Sequence, residues 1–181
     1  KLVCAADCRL AKAGGIQEDV FGDAAAALLI GNQDVIAKYE GSYSLSFDFA
    51  DSRRTDQDQY VRVWEERWIR EEGYFKFIPG ALNGLLQKCE LELKDIAKVI
   101  FPPFGARDHS ALAKLLKLEK DQIQDPFMNS VGNTGAAHPL FMFAAALEDA
   151  KPGDKIVVIS FGNGSDALLF QATESIVSFR N

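Results

Sequence analysis

The segment FGDAAAALLI at 21–30 returns as FGNGSDALLF at 161–170. Phe, Gly, an Asp or Asn, and Ala-Leu-Leu hold the same offsets in both copies. Each copy follows a short apolar run, LVCAA at 2–6 and KIVVIS at 155–160. In the second copy Gly162-Asn163-Gly164 supplies the positive-φ residues that a tight reversal needs, so the stretch reads as strand, turn, strand. In the first copy a longer loop, DCRLAKAGGIQED, replaces the turn. A hairpin recurring at this separation points to a duplicated fold whose first copy is cut short. Chance likeness between two Ala/Leu-rich strands accounts for the same letters. Duplication places 24–30 and 165–171 as adjacent central strands of equivalent halves.

Between the copies, strand and helix patterns alternate. VIAKYEGSYSLSFDF (35–49) carries β-branched and aromatic residues in partial alternation, as a strand does. Residues 52–90 read as mostly helical, with Tyr60, Val61, Trp64, Trp68 and Ile69 on one face, divided at Gly73 and Pro79-Gly80 into two helices. A helical turn near Leu93, a strand at 98–101 and a helix through ARDHSALAKLLKL come next. A buried helix then spans 134–150, closed by Lys151-Pro152-Gly153. This order predicts an α/β layered domain with a mixed, five-stranded sheet and flanking helices.

Composition removes several classes of function. The net charge is −6 and the basic residues are scattered, which excludes a nucleic-acid footprint. No run of about 18 apolar residues is present, so no membrane span is expected. Three cysteines, Cys4, Cys8 and Cys89, fit a reducing, cytoplasmic setting better than a disulfide framework. The chain opens at Lys1 inside a strand-like run, as a processed chain or fragment would.

The stretch VGNTGAAHPLF (131–141) sets Gly, Asn and Thr between two apolar runs. An Asn amide is a neutral donor that titration cannot remove, and so suits an oxyanion. Gly132 permits close backbone approach, and Thr134 can cap the following helix. A turn or cap role for Asn133 explains the same letters.

FGDAAAALLIG (21–31), EEGY (71–74), KVIFPPFG (98–105), VGNTGAA (131–137) and KPGDKIVVISFGNGSDALLF (151–170), in this order, resemble the thiolase superfamily. Within it they are most similar to hydroxymethylglutaryl-CoA synthase-like and ketoacyl-ACP synthase III-like condensing enzymes. The resemblance implies two duplicated α/β halves, with 1–31 ending the N-terminal half and 32–181 forming the C-terminal half. It implies acyl-CoA or an acyl carrier thioester as substrate, no covalently bound cofactor, no metal, and a homo- or hetero-oligomer that includes the missing N-terminal half or a partner chain. It makes Asn133 the donor to the thioester oxygen, puts Gly162 and Gly164 on the active-site floor beside Gly132, and sets Phe104 near the pantetheine tunnel.

Two departures stand against full activity. The family's nucleophilic cysteine lies upstream of the strand LVCAA, and neither Cys8 nor Cys89 matches it. Cys4 reads as a small core residue. This chain alone is therefore expected not to condense acyl groups. The family's proton-transferring histidine falls where Phe101 or Pro102 stands here. His109, one turn into the next helix, is the candidate replacement; otherwise it is a partly exposed helix-start residue. His138 reads as structural and Pro139 as an early helix residue. Two readings fit these letters: the C-terminal part of a condensing enzyme, or a degenerate acyl-CoA-binding or structural subunit.

Overall fold

A computed structural model describes residues 1–179. At its centre is a four-stranded mixed sheet of β3 (Ala37–Ser46), β6 (Lys98–Ile100), β7 (Lys155–Ile159) and β8 (Gly164–Ala172), in the order β3-β8-β7-β6. β6 and β7 run parallel, and the other two pairings are antiparallel. The mixed α/β layering matches the sequence reading, with four strands in this sheet where five were expected.

Alternation along β7 builds both faces. Val157 and Ile159 pack with Tyr74, Ile78, Leu82 and Leu112 on one side. Ile156 and Val158 pack with Met142, Phe143 and Ala146 on the other. The first set of helical residues belongs to a long helical run and to α3 (Ala106–Leu115). The second belongs to α4 (His138–Asp149), which a single 3-10 turn at Gly135–Ala137 precedes. α5 (Ser175–Phe179) adds Ile176 to the α4 side. None of the helices among the described residues is long and apolar enough to cross a membrane.

The helical reading of 52–90 holds only in its second part. Residues 52–63 form a small ribbon of β4 (Ser52–Arg53) and β5 (Arg62–Val63). The helix begins at α1 (Glu66–Trp68), where the Glu65 carboxylate accepts from the Arg67 and Trp68 N–H groups. Local polar contacts explain the failure: Thr55 N–H and hydroxyl both donate to Asp58, and Ser52 N–H donates to Asp51. Such side chains compete with helical hydrogen bonds. Trp64 is left exposed outside the helix. Neither Gly73 nor Pro79 divides the helical run beyond α1. A π-helical segment (Ile69–Tyr74) runs directly into α2 (Phe75–Lys88), with Pro79 inside α2. Gly73 lies within van der Waals reach of the Phe49 ring, where a Cβ would sit 2.5 Å from Cζ.

The N-terminal copy of the repeat is also a hairpin. β1 (Leu2–Asp7) and β2 (Ala24–Leu29) pair antiparallel, Leu2 opposite Leu29 and Asp7 opposite Ala24. They form their own two-stranded sheet. The expectation that 24–30 and 165–171 are adjacent strands is therefore overturned, and the argument for duplication drawn from the repeated segment, which required that adjacency, fails with it. What recurs is the hairpin itself. The ribbon reaches the apolar layer around α4 through Leu28. Its other face is open, and that is why Cys4, expected in the core, is exposed.

Candidate active site

β6 and β7 end side by side at the same edge of the sheet, and a crevice outside the carboxyl ends of parallel strands is where α/β proteins bind ligands. Here a cavity of ≈ 630 Å³ opens there. The loop after β6 (Pro102–Gly105) and the turn after β7 (Ser160–Gly162) form its floor. Ile69 and Tyr74, at the two ends of the π-helical segment, line a wall. π-Helical turns occur frequently at functional sites. The remaining wall is the long loop between β1 and β2 together with the turn holding Asn133.

That turn is held by main chain. Asn133 N–H donates to the Val20 carbonyl at 2.7 Å, and Gly22 N–H donates to the Asn133 carbonyl at 3.0 Å. A Cβ on Gly22 would sit 1.8 Å from the Val131 carbonyl oxygen, so the Gly of the first FG pair is demanded by this close pairing. The Asn133 side chain is equally defined. Its Oδ1 accepts from Arg9 Nη2 at 2.8 Å and from Gly135 N–H at 2.9 Å, while Nδ2 donates to the Pro103 carbonyl at 2.9 Å. Two donors on one atom settle which end of the amide is oxygen. An amide nitrogen carries two hydrogens, and the Pro103 bond uses one.

Residues 86–170 match the family model described as 3-oxoacyl-[acyl-carrier-protein] synthase III C terminal. Hydroxymethylglutaryl-CoA synthase of Methanopyrus kandleri is 35% identical over 158 residues, covering 86% of this chain and 45% of that protein. The Thermococcus gammatolerans enzyme is 30% identical, covering 97% of this chain and 51% of its own length. Among solved structures, hydroxymethylglutaryl-CoA synthase complexed with CoA superposes with a TM-score of 0.80 at 18% identity, covering 98% of this chain and 50% of the other. 3-Oxoacyl-[acyl-carrier-protein] synthase III of Aquifex aeolicus gives 0.72 at 20% identity, with coverages of 84% and 50%. The chain belongs to the thiolase superfamily. It spans about half the length of the curated relatives it matches.

The residues singled out by the thiolase-superfamily pattern are only partly brought together. Asn133, Phe104 and Gly162 line the cavity; Gly132, Gly164 and His109 do not. The glycines divide by physical need. Gly132 (φ 80°) and Gly164 (φ 142°) lie where side chains are strained, and a Cβ would fall 2.8 Å from the Val20 oxygen and 2.0 Å from the Leu45 oxygen. A Cβ on Gly162 would meet nothing within 4 Å. Of these three, only Gly162 is glycine without a packing reason.

The histidines are both buried. His109, read as partly exposed if only a helix-start residue, is instead 3% exposed because its ring stacks on Phe101, centroids 4.2 Å apart. Burial lowers its pKa to about 4, so it is neutral, and its Nε2 has no hydrogen-bond partner. His138 Nδ1 accepts from Thr134 N–H at 3.1 Å, which leaves the proton on Nε2 to donate to the Pro126 carbonyl at 2.9 Å. This is the structural role read from sequence. Thr134 makes no side-chain cap; its hydroxyl lies 3.0 Å from His138 Nδ1. None of the three cysteines lines the cavity. The Cys8 thiol is pushed up by its hydrogen bond to Asp23 and by that carboxylate's charge, the reverse of an activated thiolate.

Sequence reasoning missed the charged lining: Asp7, Arg9, Asp51, Glu66 and Asp108. Arg9 and Asp7 stand in or beside the loop read only as a lengthened turn. The Tyr74 hydroxyl donates to the Pro102 carbonyl at 3.0 Å, and burial raises its pKa, so it is a neutral support for the floor. EEGY signalled the family, but nothing in its letters signalled that contact.

Proposed function

We propose that this chain supplies the oxyanion-binding half of an acyl-CoA condensing enzyme, with 1–31 as the end of an N-terminal half and 32–181 as the C-terminal half. The substrate in this reading is a coenzyme A or acyl carrier thioester, and the chemistry is Claisen or aldol-type carbon–carbon bond formation. The setting is cytoplasmic, and the assembly is a homo- or hetero-oligomer. The observation that carries it is the Asn133 amide in the wall of the cavity that Gly162 also lines, its oxygen fixed by Arg9 and Gly135 and its nitrogen using one of its two hydrogens on Pro103.

In the proposed mechanism the thioester oxygen gains negative charge as its carbonyl is attacked. A preorganised N–H beside it is stronger there than in water, because no solvent must reorganise. Gly162 leaves room for the acyl group, and Phe104 covers the thioester arm. The thiolate that forms the acyl-enzyme comes from residues outside this chain, since chemistry of this class needs a nucleophile and no cysteine here reaches the cavity. The test is a condensation assay with acetyl- and acetoacetyl-CoA. The 181-residue chain alone is expected to be inactive, and the longer protein or complex containing it active. Condensation by the isolated chain that is lost on changing Cys4, Cys8 or Cys89 refutes the assignment.

One observation favours a second reading. By the resemblance, Phe101 or Pro102 stands where the family's histidine falls, and neither can transfer a proton, while His109 is neutral, buried and away from the cavity. A degenerate subunit that binds acyl-CoA without turning it over fits those residues. Binding of acetyl-CoA by the complete protein with no product formed distinguishes it.

A further inference from the structure

We infer that Arg9 is a positioning residue that fixes which end of the Asn133 amide is which, holding its oxygen and leaving the second N–H of its nitrogen free for a thioester oxygen in the cavity. The inference rests on the reading of Asn133 as the thioester's donor. An Asn side chain is nearly symmetric in shape, so only its hydrogen-bond partners decide which end faces a ligand. Arg9 decides it without ambiguity. Its Nη2 donates to the Asn133 carbonyl at 2.6 Å and to Oδ1 at 2.8 Å, and a guanidinium has no acceptor to offer. A flipped amide would set NH2 against Arg9 and against Gly135 N–H, and would set oxygen against the Pro103 carbonyl. All three contacts would become repulsive.

The arginine is itself fixed from two further directions. Its guanidinium carbon stands 4.0 Å over the Phe21 ring. Its Nε lies 3.4 Å from Asp7 Oδ2, a charge pairing without hydrogen-bond alignment. Asp7 Oδ2 also accepts from Ala136 N–H at 3.1 Å, an approach that Gly135 permits because a Cβ there would lie 1.9 Å from that oxygen. Leaving a buried guanidinium N–H without an aligned acceptor costs stability. Stability alone therefore does not explain this arrangement, whereas orientation of Asn133 does.

The test uses the complete protein with Arg9→Ala and Arg9→Lys. The Asn133 side-chain amide signals are first assigned by NMR from their loss in Asn133→Asp. In Arg9→Ala those signals should broaden and exchange faster with solvent, and kcat should fall about tenfold or more with KM little changed, the scale for losing a group that holds a catalytic one in place. Millimolar guanidinium should restore part of kcat, which a merely structural arginine would not permit. Arg9→Lys, which keeps a donor and a charge over Phe21, should lie between and serves if Arg9→Ala fails to fold. Unmoved Asn133 amide signals in the folded variants overturn the inference, whatever the turnover. Full turnover in Asn133→Ala instead overturns the oxyanion reading, and the amide signals still decide the lock.

Discussion

Replacing Asn133 tests the site most directly, and the structure sets both magnitudes. Asn133→Ala removes the acceptor of Arg9 Nη2 and Gly135 N–H and the donor to the Pro103 carbonyl. Arg9 keeps its bond to the Asn133 main-chain carbonyl, so the loss falls on Gly135 and Pro103. Stranding such groups costs roughly 1–3 kcal/mol, so a melting temperature unchanged by the substitution is not expected. Loss of one oxyanion donor lowers kcat by about a hundredfold to a thousandfold. Stability loss by itself thus says nothing about catalysis. Asn133→Asp separates the two effects: it keeps Oδ1 for Arg9 and Gly135 and removes the donor. Denaturant unfolding and condensation kinetics on both variants supply the readings. The expected result is a similar collapse of kcat in both. Near-native kcat in Asn133→Asp would refute the donor role, because no N–H remains to do the work.

The glycines should part company. Gly162→Ala should leave the unfolding midpoint within about 0.5 kcal/mol, as for surface changes without steric conflict, while raising KM for longer acyl thioesters. Gly164→Ala should destabilise by at least about 1–3 kcal/mol through strain at its backbone angles, and a native midpoint there would contradict the geometry. His109 predicts an acid limb. Its folded pKa of about 4 lies below the ordinary 6.5, so the unfolded chain takes up the proton first as pH falls. Stability held by neutral His109 is complete above pH 6.5 and erodes by roughly 3 kcal/mol in all by pH 4. Urea midpoints across that range should show a shallower slope in His109→Leu. An identical slope would count against the burial.

How far the letters reveal the molecule depends on the range of the interactions involved. β7, α3 and α4 were legible because their alternation or helical spacing is local. The 60–69 aromatic spacing misled because Thr55, Asp58 and Asp51 engage neighbouring backbone and side-chain groups first. Of the residues that the family pattern singled out, Asn133 and Gly162 line the cavity, whereas Gly132 and Gly164 are required as glycine by their own backbone contacts. Arg9 was invisible because its partner lies 124 positions away, and no local rule connects a loop arginine to a distant amide. His109, if not catalytic, read as partly exposed, as a helix-start polar residue usually is; only the stack with Phe101 reverses that.

The pairing of 20–22 with the Asn133 turn also sets what the pocket depends on. Its bonds join residues over a hundred positions apart. The β3–β8 pairing at the centre of the sheet reaches as far, with Ala37 opposite Ala172. Both are distant closures, and they share no bonds. Removing residues 1–22 would therefore spare the sheet yet leave the Asn133 turn without its template. A folded core does not by itself guarantee a formed pocket, so the ability to bind can be lost from a molecule that is still well packed.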